Sequence, residues 1–374
     1  MSKIKVVILS PSRQAASGVT THANMLFASA LAGDFELLHF QVGSEGRREN
    51  GLQRLVRYVW SPIELALLIV RTRPDVVHLN TSINDKAYWR DFVFLVIAEM
   101  LGCKVVNQIH GGVLPSMFTH NSVIKRRLFR CFIACSDVIV LISKEAHQAY
   151  SKFTPETRLM YIPNAIEHVG LMGDIFPIDA QQPLRLIYIG RLTYEKGLFE
   201  ALEAIAKLLA QARKLSFQIV GGGEAERDLR ERVKRLGIEE HVQFLGPIFG
   251  EAKNLLWKQA DVFVFPTYSE GLPYSMLEAM AAGTPPITCP VGAIPDVLED
   301  GVNGLFVPPR DIDAIARAIT QMDDHRNQLQ SMAAAGRRCI SAHYTTERLA
   351  QDFHYLYSSL ASDGDGGATH AEYD

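Results

Sequence analysis

Short runs of β-branched and other apolar residues alternate with longer amphipathic stretches along almost the whole chain, the pattern of parallel strands joined by crossover helices. The runs predict strands at 5–9, 36–41, 76–79, 104–108, 138–142 and 160–162. The pattern then restarts, with strands at 184–189, 216–220, 242–244, 262–265, 286–288 and 304–307. Between the two sets, 168–183 has two prolines, glycines and little periodicity, and is the expected linker. The expected architecture is α/β, with two Rossmann-like, doubly wound parallel-sheet domains at 1–167 and 184–344. A last helix, 345–361, is expected to pack back on the N-terminal domain. The Gly- and Asp-rich stretch 362–374 reads as a disordered tail.

At 374 residues the chain is long enough for two domains and too long for one small binding module. Its net charge of −3 is too near neutral for a dedicated nucleic-acid binder. Split at residue 178 the halves carry about +5 and −8, counted along the sequence. The basic half would suit an acidic partner or a membrane surface, although uneven solvated faces explain the split more simply. Five scattered cysteines, an odd number, argue against a disulfide framework and point to a reducing compartment. The N-terminus runs straight into an apolar β-type segment with no secretory signal, and no apolar stretch nears the about 18 residues of a membrane span. A cytoplasmic protein is therefore expected. Arg54, Arg57 and the cluster Lys125, Arg126, Arg127 and Arg130, beside Tyr58, Trp60, Leu128 and Phe129, which read as exposed, leave room for peripheral contact with the inner membrane face. A solvated helix face over a buried apolar side accounts for the same residues.

Candidate chemistry concentrates in loops that leave strands and enter helices, where open parallel sheets bind ligands. After the first strand, Gly18 begins a helix signalled by Thr20 and Thr21, and no GxGxxG fingerprint accompanies it, which disfavours a nicotinamide-type enzyme. In IYIGRLTYEKG, Gly190 ends a strand and Arg191 and Lys196 follow before a helix opening near Gly197, two permanent cations suited to a diphosphate. Gly221, Gly222 and Gly223 form a second loop without the GK[ST] ending of a P-loop. In FVFPTYSEGLPYSMLEAMAAGTPPI, Glu270 lies in a loop and Glu278 on the second turn of the helix behind it, with the Gly271 and Leu272 amides between them. Two DxD strings, at 311–313 and 363–365, read as a helix cap and part of the tail rather than metal sites. Cys131 and Cys135 read as buried thiols with no zinc set, and His78 as a packed histidine.

These strings together resemble the retaining, nucleotide-sugar-dependent glycosyltransferases of the GT-B fold, family 4, also called glycosyltransferase group 1. The residues that carry the resemblance are HGG at 110–112, IPNAIE, YIGRLTYEKG, the GGG run, FLG at 244–246, Glu270 with Glu278, AMAAGTPPI and GVNGLFVPP. The resemblance implies two domains facing across a cleft. It implies that Arg191 and Lys196 clamp the donor diphosphate, Glu278 bonds the ribose and Glu270 the sugar hydroxyls. The Gly271 and Leu272 amides would serve the distal phosphate or sugar, Gly222 and Gly223 would allow close approach of the nucleotide, and the loop after Gly246 would border the base. Gly18 would lie near the phosphate and acceptor, and His110 would position the sugar. Two departures stand out: Ser17-Gly18 where the family commonly has Gly-Gly, and Glu270-Gly271-Leu272-Pro273 where EGFG is common.

The implied reaction is transfer with retention to a saccharide or lipid-linked acceptor, in bacterial surface polysaccharide or glycolipid synthesis. Neither a cofactor nor a metal is expected, because fixed cations and amides take the leaving-group charge. Two alternatives share the fold. One is a nucleotide-sugar 2-epimerase, which would need its own acid and base. The other is a catalytically silent binding subunit, which would be expected to lose Arg191, Lys196 or Glu270.

Overall fold

A computed structural model describes residues 3–362, apart from 16, 48, 84, 113, 121, 156–157, 168–170 and 172–180. Most of the expected linker, the whole tail from 363 and the second DxD string lie outside the described residues. The chain divides into two compact units, Met1–Asn164 with Thr346–Asp374, and Ala165–Thr345.

The first unit is built on a six-stranded parallel sheet of β1 (Lys5–Ser10), β2 (Glu36–Gln41), β3 (Val76–Ile83), β4 (Lys104–Gly112), β5 (Val138–Leu141) and β6 (Leu159–Tyr161), in the order β2-β1-β3-β4-β5-β6. Its central strands are covered on both faces, which is why they read as continuous apolar runs rather than alternating ones. β3 and β4 continue past the apolar runs into polar residues. Asn80 and Thr81 stay buried in β3 because each is paired: Asn80 Nδ2 donates to the Leu9 carbonyl at 3.2 Å, and Thr81 Oγ1 donates to Asp91 at 2.5 Å.

One face of this sheet holds a single core. Leu65 and Ile69 from the helix Gly51–Thr72, Tyr88 and Phe94 from Asp85–Met100, and Phe129 and Phe132 from Val123–Ala134 pack there on Val77, Val105 and Ile139. Two expectations fail on this helix row. Phe129 is fully buried and Leu128 half-buried, because the helix Val123–Ala134 turns that side to the sheet. Cys131, on the opposite side of the same helix, is exposed, and Cys135 at its C-cap is half-buried.

Alternation along β1 and β3 sends His78 and Ile8 to the other face. There lie the helix Gly18–Ala28 and the last helix, Thr346–Ser362, which belongs to this unit although the second unit intervenes in sequence. Phe353 anchors it, fully buried and stacked on His78 with ring centroids 5.2 Å apart, and 5.7 Å from the ring of His22.

The second unit has β7 (Leu184–Ile189), β8 (Leu215–Val220), β9 (Val242–Gly246), β10 (Val262–Phe265), β11 (Pro286–Thr288) and β12 (Leu305–Phe306), all parallel, in the order β12-β11-β10-β7-β8-β9. Asp311 caps the helix Ile312–Asp324, its carboxylate accepting from the Ala314 amide at 2.8 Å, while Asp313 accepts from Lys207 at 2.7 Å, so the first DxD string serves the helix.

Truncation of the Phe353 anchor removes a complete buried aromatic, and Phe353→Ala is expected to destabilise the first unit by about 3–5 kcal/mol. Urea unfolding followed by circular dichroism should show an early transition; a midpoint shared with the parent chain would contradict the anchoring role.

Candidate functional site

In the second unit the candidate residues gather at the carboxyl ends of β7, β8 and β10. β7 runs into Gly190 and Arg191, and the Tyr188 hydroxyl donates to the Arg191 carbonyl at 2.7 Å, shaping the turn. Arg191 itself is exposed, and no carboxylate pairs with it among the described residues. The adjoining β8 loop fits tightly against this turn. A Cβ on Gly221 would stand 1.9 Å from the Gly190 carbonyl oxygen, and one on Gly223 2.2 Å from that of Leu192. Backbone packing therefore accounts for both glycines, whereas a Cβ on Gly222 would meet only ordinary contacts at 3.7 Å. Gly246, at the end of β9, accepts from the Gly221 amide at 2.9 Å.

Lys196 closes the short 3-10 turn Tyr194–Lys196, and Gly197 follows in the left-handed region, φ 69°, as N-cap of the helix Leu198–Ala210. A side chain on Gly197 would strike the Pro266 carbonyl oxygen at 2.0 Å, so this glycine lets the β7 and β10 loops touch. The touch brings Lys196 to Glu270. The lysine is 7% exposed, and its Nζ donates to Glu270 Oε1 at 2.5 Å. Thr267 Oγ1 lies 3.2 Å from the same oxygen and can donate to it. A charge this withdrawn from water is stable only while paired. The loop carrying Glu270 is braced in turn: the Ala293 amide donates to the Gly271 carbonyl at 2.8 Å, and Leu272 is buried.

Glu278, on the helix Tyr274–Ala282, has separate partners. Its Oε1 accepts from Lys253 at 2.7 Å, and its Oε2 from the indole N–H of fully buried Trp257 at 3.3 Å. Thr267, Lys253 and Trp257 were not singled out from sequence. Lys253 and Trp257 precede Glu278 by 25 and 21 positions on another helix, and no local spacing marks such a pairing.

In the first unit, Gly18 is exposed as the first residue of its helix. The cap is Ser17, whose Oγ accepts from the Thr20 amide at 3.3 Å, rather than either threonine. His110, near the end of β4, bonds through Nε2 to Asn80 Oδ1 at 2.7 Å. Because the Asn80 amide nitrogen is committed to Leu9, the oxygen faces the ring, so His110 Nε2 donates and Nδ1 remains the acceptor. A third histidine, His22, is fully buried beside Gln108, its ring centroid 4.8 Å from that of His110. His78 donates from Nε2 to Gln108 at 3.0 Å and accepts from Tyr357 at 2.7 Å, the packed histidine expected. A lone histidine inside GVTTHAN gives no sequence signal for this cluster.

Burial pushes His22 and His78 down to about 3 and His110 well below the ordinary imidazole value, so all three rings are neutral near pH 7. No group of three His, Cys, Asp or Glu side chains able to hold a metal occurs among the described residues.

The comparisons with known proteins fall on these same elements. Residues 176–338 match the family described as glycosyl transferases group 1. An uncharacterized glycosyltransferase of Methanocaldococcus jannaschii is 30% identical over 59% of this chain and 59% of its own length. The amylovoran biosynthesis glycosyltransferase AmsK of Erwinia amylovora is 28% identical over 48% of this chain and 44% of its own. The GDP-mannose-dependent alpha-(1-6)-phosphatidylinositol monomannoside mannosyltransferase of Mycobacterium tuberculosis is 28% identical over 58% of this chain and 60% of its own. The chain thus matches about three-fifths or less of these relatives' lengths. Among solved structures, sucrose-phosphate synthase from Thermosynechococcus elongatus superposes over 96% of this chain and 100% of its own with a TM-score of 0.76 at 18% identity. Anabaena HepE in complex with UDP-glucose covers 95% of this chain and 100% of its own, with a TM-score of 0.73 at 16% identity.

The buried histidines carry a pH signature. Above about pH 6.5 they are neutral folded or unfolded and contribute no pH dependence. Below it the unfolded chain takes up protons that the folded one refuses, so stability should fall towards pH 3 by about 1 kcal/mol per pH unit for each ring. Urea midpoints measured from pH 7 to pH 4 should fall less steeply in His22→Phe than in the parent; parallel curves would remove His22 from the account.

Proposed function

We propose, from the match of residues 176–338 to the glycosyl transferases group 1 and from the GT-B fold, that the chain is a retaining, metal-independent glycosyltransferase. It takes a nucleoside-diphosphate sugar as donor and a saccharide or lipid-linked molecule as acceptor. The observation that carries this reading is the cluster at the ends of β7 and β10, where exposed Arg191 lies five residues from Lys196, which is paired with Glu270, the carboxylate that Thr267 also meets.

Breaking the bond between the anomeric carbon and the phosphate oxygen leaves negative charge on the diphosphate and positive charge on the sugar. Arg191 is available to meet the diphosphate directly. Lys196 can transfer its ammonium from Glu270 to the same phosphates, which frees Glu270 to accept hydrogen bonds from sugar hydroxyls. Glu278, fixed by Lys253 and Trp257, presents a carboxylate to a ribose. In front-face displacement, the acceptor oxygen forms the new bond to the anomeric carbon on the side from which the phosphate leaves, and its proton passes to the departing phosphate oxygen. His110 positions the sugar through an uncharged ring. With two cations taking the leaving-group charge, a divalent metal has no necessary part, and turnover should survive dialysis against a chelator.

Structural likeness to a protein solved with UDP-glucose, and sequence likeness to one named for GDP-mannose, both favour a nucleoside diphosphate donor. Likeness to proteins named for amylovoran biosynthesis and for mannosylation of a phosphatidylinositol mannoside favours a surface polysaccharide or glycolipid as product.

Arg191→Ala should lower kcat by about a hundredfold or more at an unchanged melting temperature, because the side chain is exposed. Lys196→Ala should lose comparable activity but also melt earlier, since it strands the Glu270 carboxylate. Normal turnover in both variants would refute the assignment. Lys253→Met releases one arm of Glu278 and should raise the donor KM more than it lowers kcat, as steady-state kinetics would show. Product analysis separates the alternatives: a new glycoside supports transfer, an inverted sugar stereocentre would indicate an epimerase, and no turnover with tight nucleotide binding would indicate a silent subunit.

A further inference from the structure

The outer side of the helix row in the first unit has the wrong composition for a solvated surface. The helix Gly51–Thr72 fully buries only Ser61, Leu65 and Ile69. Leu52, Leu55, Val56, Val59, Trp60 and Ile63 are each more than 40% exposed, and between 51 and 60 every residue except Arg57 is exposed, so this end of the helix stands clear of the sheet. The next helix of the row, Asp85–Met100, adds Trp89 and Val93, and the helix Val123–Ala134 opens with Val123 and Ile124, 85% and 72% exposed. Each of these helices follows its strand, so their first turns lie at the carboxyl edge of the sheet, the edge that also carries His110.

Large apolar patches on a folded surface mark interaction sites. The charges beside this patch identify the partner. The helix Val123–Ala134 carries Lys125, Arg126, Arg127 and Arg130 with no acidic residue, and Arg54 is exposed on the first helix. A second copy docked about a two-fold axis would set that basic helix against its own counterpart, a repulsive arrangement. An anionic lipid surface offers apolar depth below and phosphate charge above, which matches tryptophan, aliphatic and arginine side chains presented together. No described helix is long and apolar enough to cross a membrane, so the contact is interfacial.

We infer that this edge of the first unit docks on anionic bilayers. The N-terminal half of the helix Gly51–Thr72, with Trp89, Val123 and Ile124, enters the boundary between headgroups and acyl chains, and Arg126, Arg127 and Arg130 meet lipid phosphates. The inference goes beyond the transfer reaction and does not depend on it.

The test is cosedimentation of the full chain with vesicles of phosphatidylcholine alone or with added phosphatidylglycerol, in the absence of any sugar donor, so failure here leaves the catalytic reading untouched. The chain should pellet with the anionic vesicles and be released by salt. Val56→Asp with Val59→Asp should weaken partitioning at least tenfold, and Arg126→Glu, Arg127→Glu and Arg130→Glu together by about a hundredfold, with melting temperatures retained. No binding to either vesicle, equal binding to both, or variants that partition like the parent would overturn the inference. So would a dimer in sedimentation velocity that the two aspartates disperse, since that outcome assigns the face to a second copy.

Discussion

Parallel pairing of β10 with β7, Val262 opposite Leu186 and Phe263 opposite Ile187, decides what the second unit can do. The two strands are neighbours in the sheet although some seventy residues separate them in sequence. Their adjacency puts the loop after β7 against the loop after β10, and Gly197 removes the last obstacle at Pro266. Lys196 and Glu270 then meet as a largely buried ion pair, their side chains 9% and 14% exposed. Such a pair is poised: it is satisfied without ligand, and an incoming anion competes with a carboxylate for the same ammonium.

The strands were legible because buried parallel strands write themselves as unbroken apolar runs, and the positions of β2, β7, β10 and β11 follow from the letters alone. β3 and β4 outran their runs because Asn80, Thr81 and His110 continue them with polar side chains that find partners only in the folded sheet. Arg191, Lys196, Glu270 and Glu278 could be picked out by type and position. That Lys196 pairs with Glu270, and that Lys253 and Trp257 hold Glu278, could not, since these contacts join elements distant in sequence. The glycines at 221 and 223 show a related ambiguity, because a residue without a side chain looks the same whether it makes room for a nucleotide or for the neighbouring loop.

The first unit combines two surfaces of opposite character. It holds three neighbouring imidazoles kept neutral by burial, His22 and His78 fully enclosed and His110 half-buried, an arrangement that narrows the pH range of the fold. Its exterior leaves tryptophan and aliphatic side chains in water. Both features lie towards the same end of the sheet, where β4 delivers His110 and where the helices begin.

The return of the helix Thr346–Ser362 to the first unit has a consequence for biosynthesis. The second unit is contiguous and can fold as soon as it leaves the ribosome, but the first waits for Phe353 and Tyr357, which are translated after the whole of the second unit and close over His78. Until then the nascent N-terminal sheet has one face covered only in part, by the helix Gly18–Ala28, and an imidazole that Phe353 does not yet shield. A chaperone that shields apolar sheet surface would have its longest opportunity on this half of the polypeptide, and slow translation of the intervening unit would prolong it.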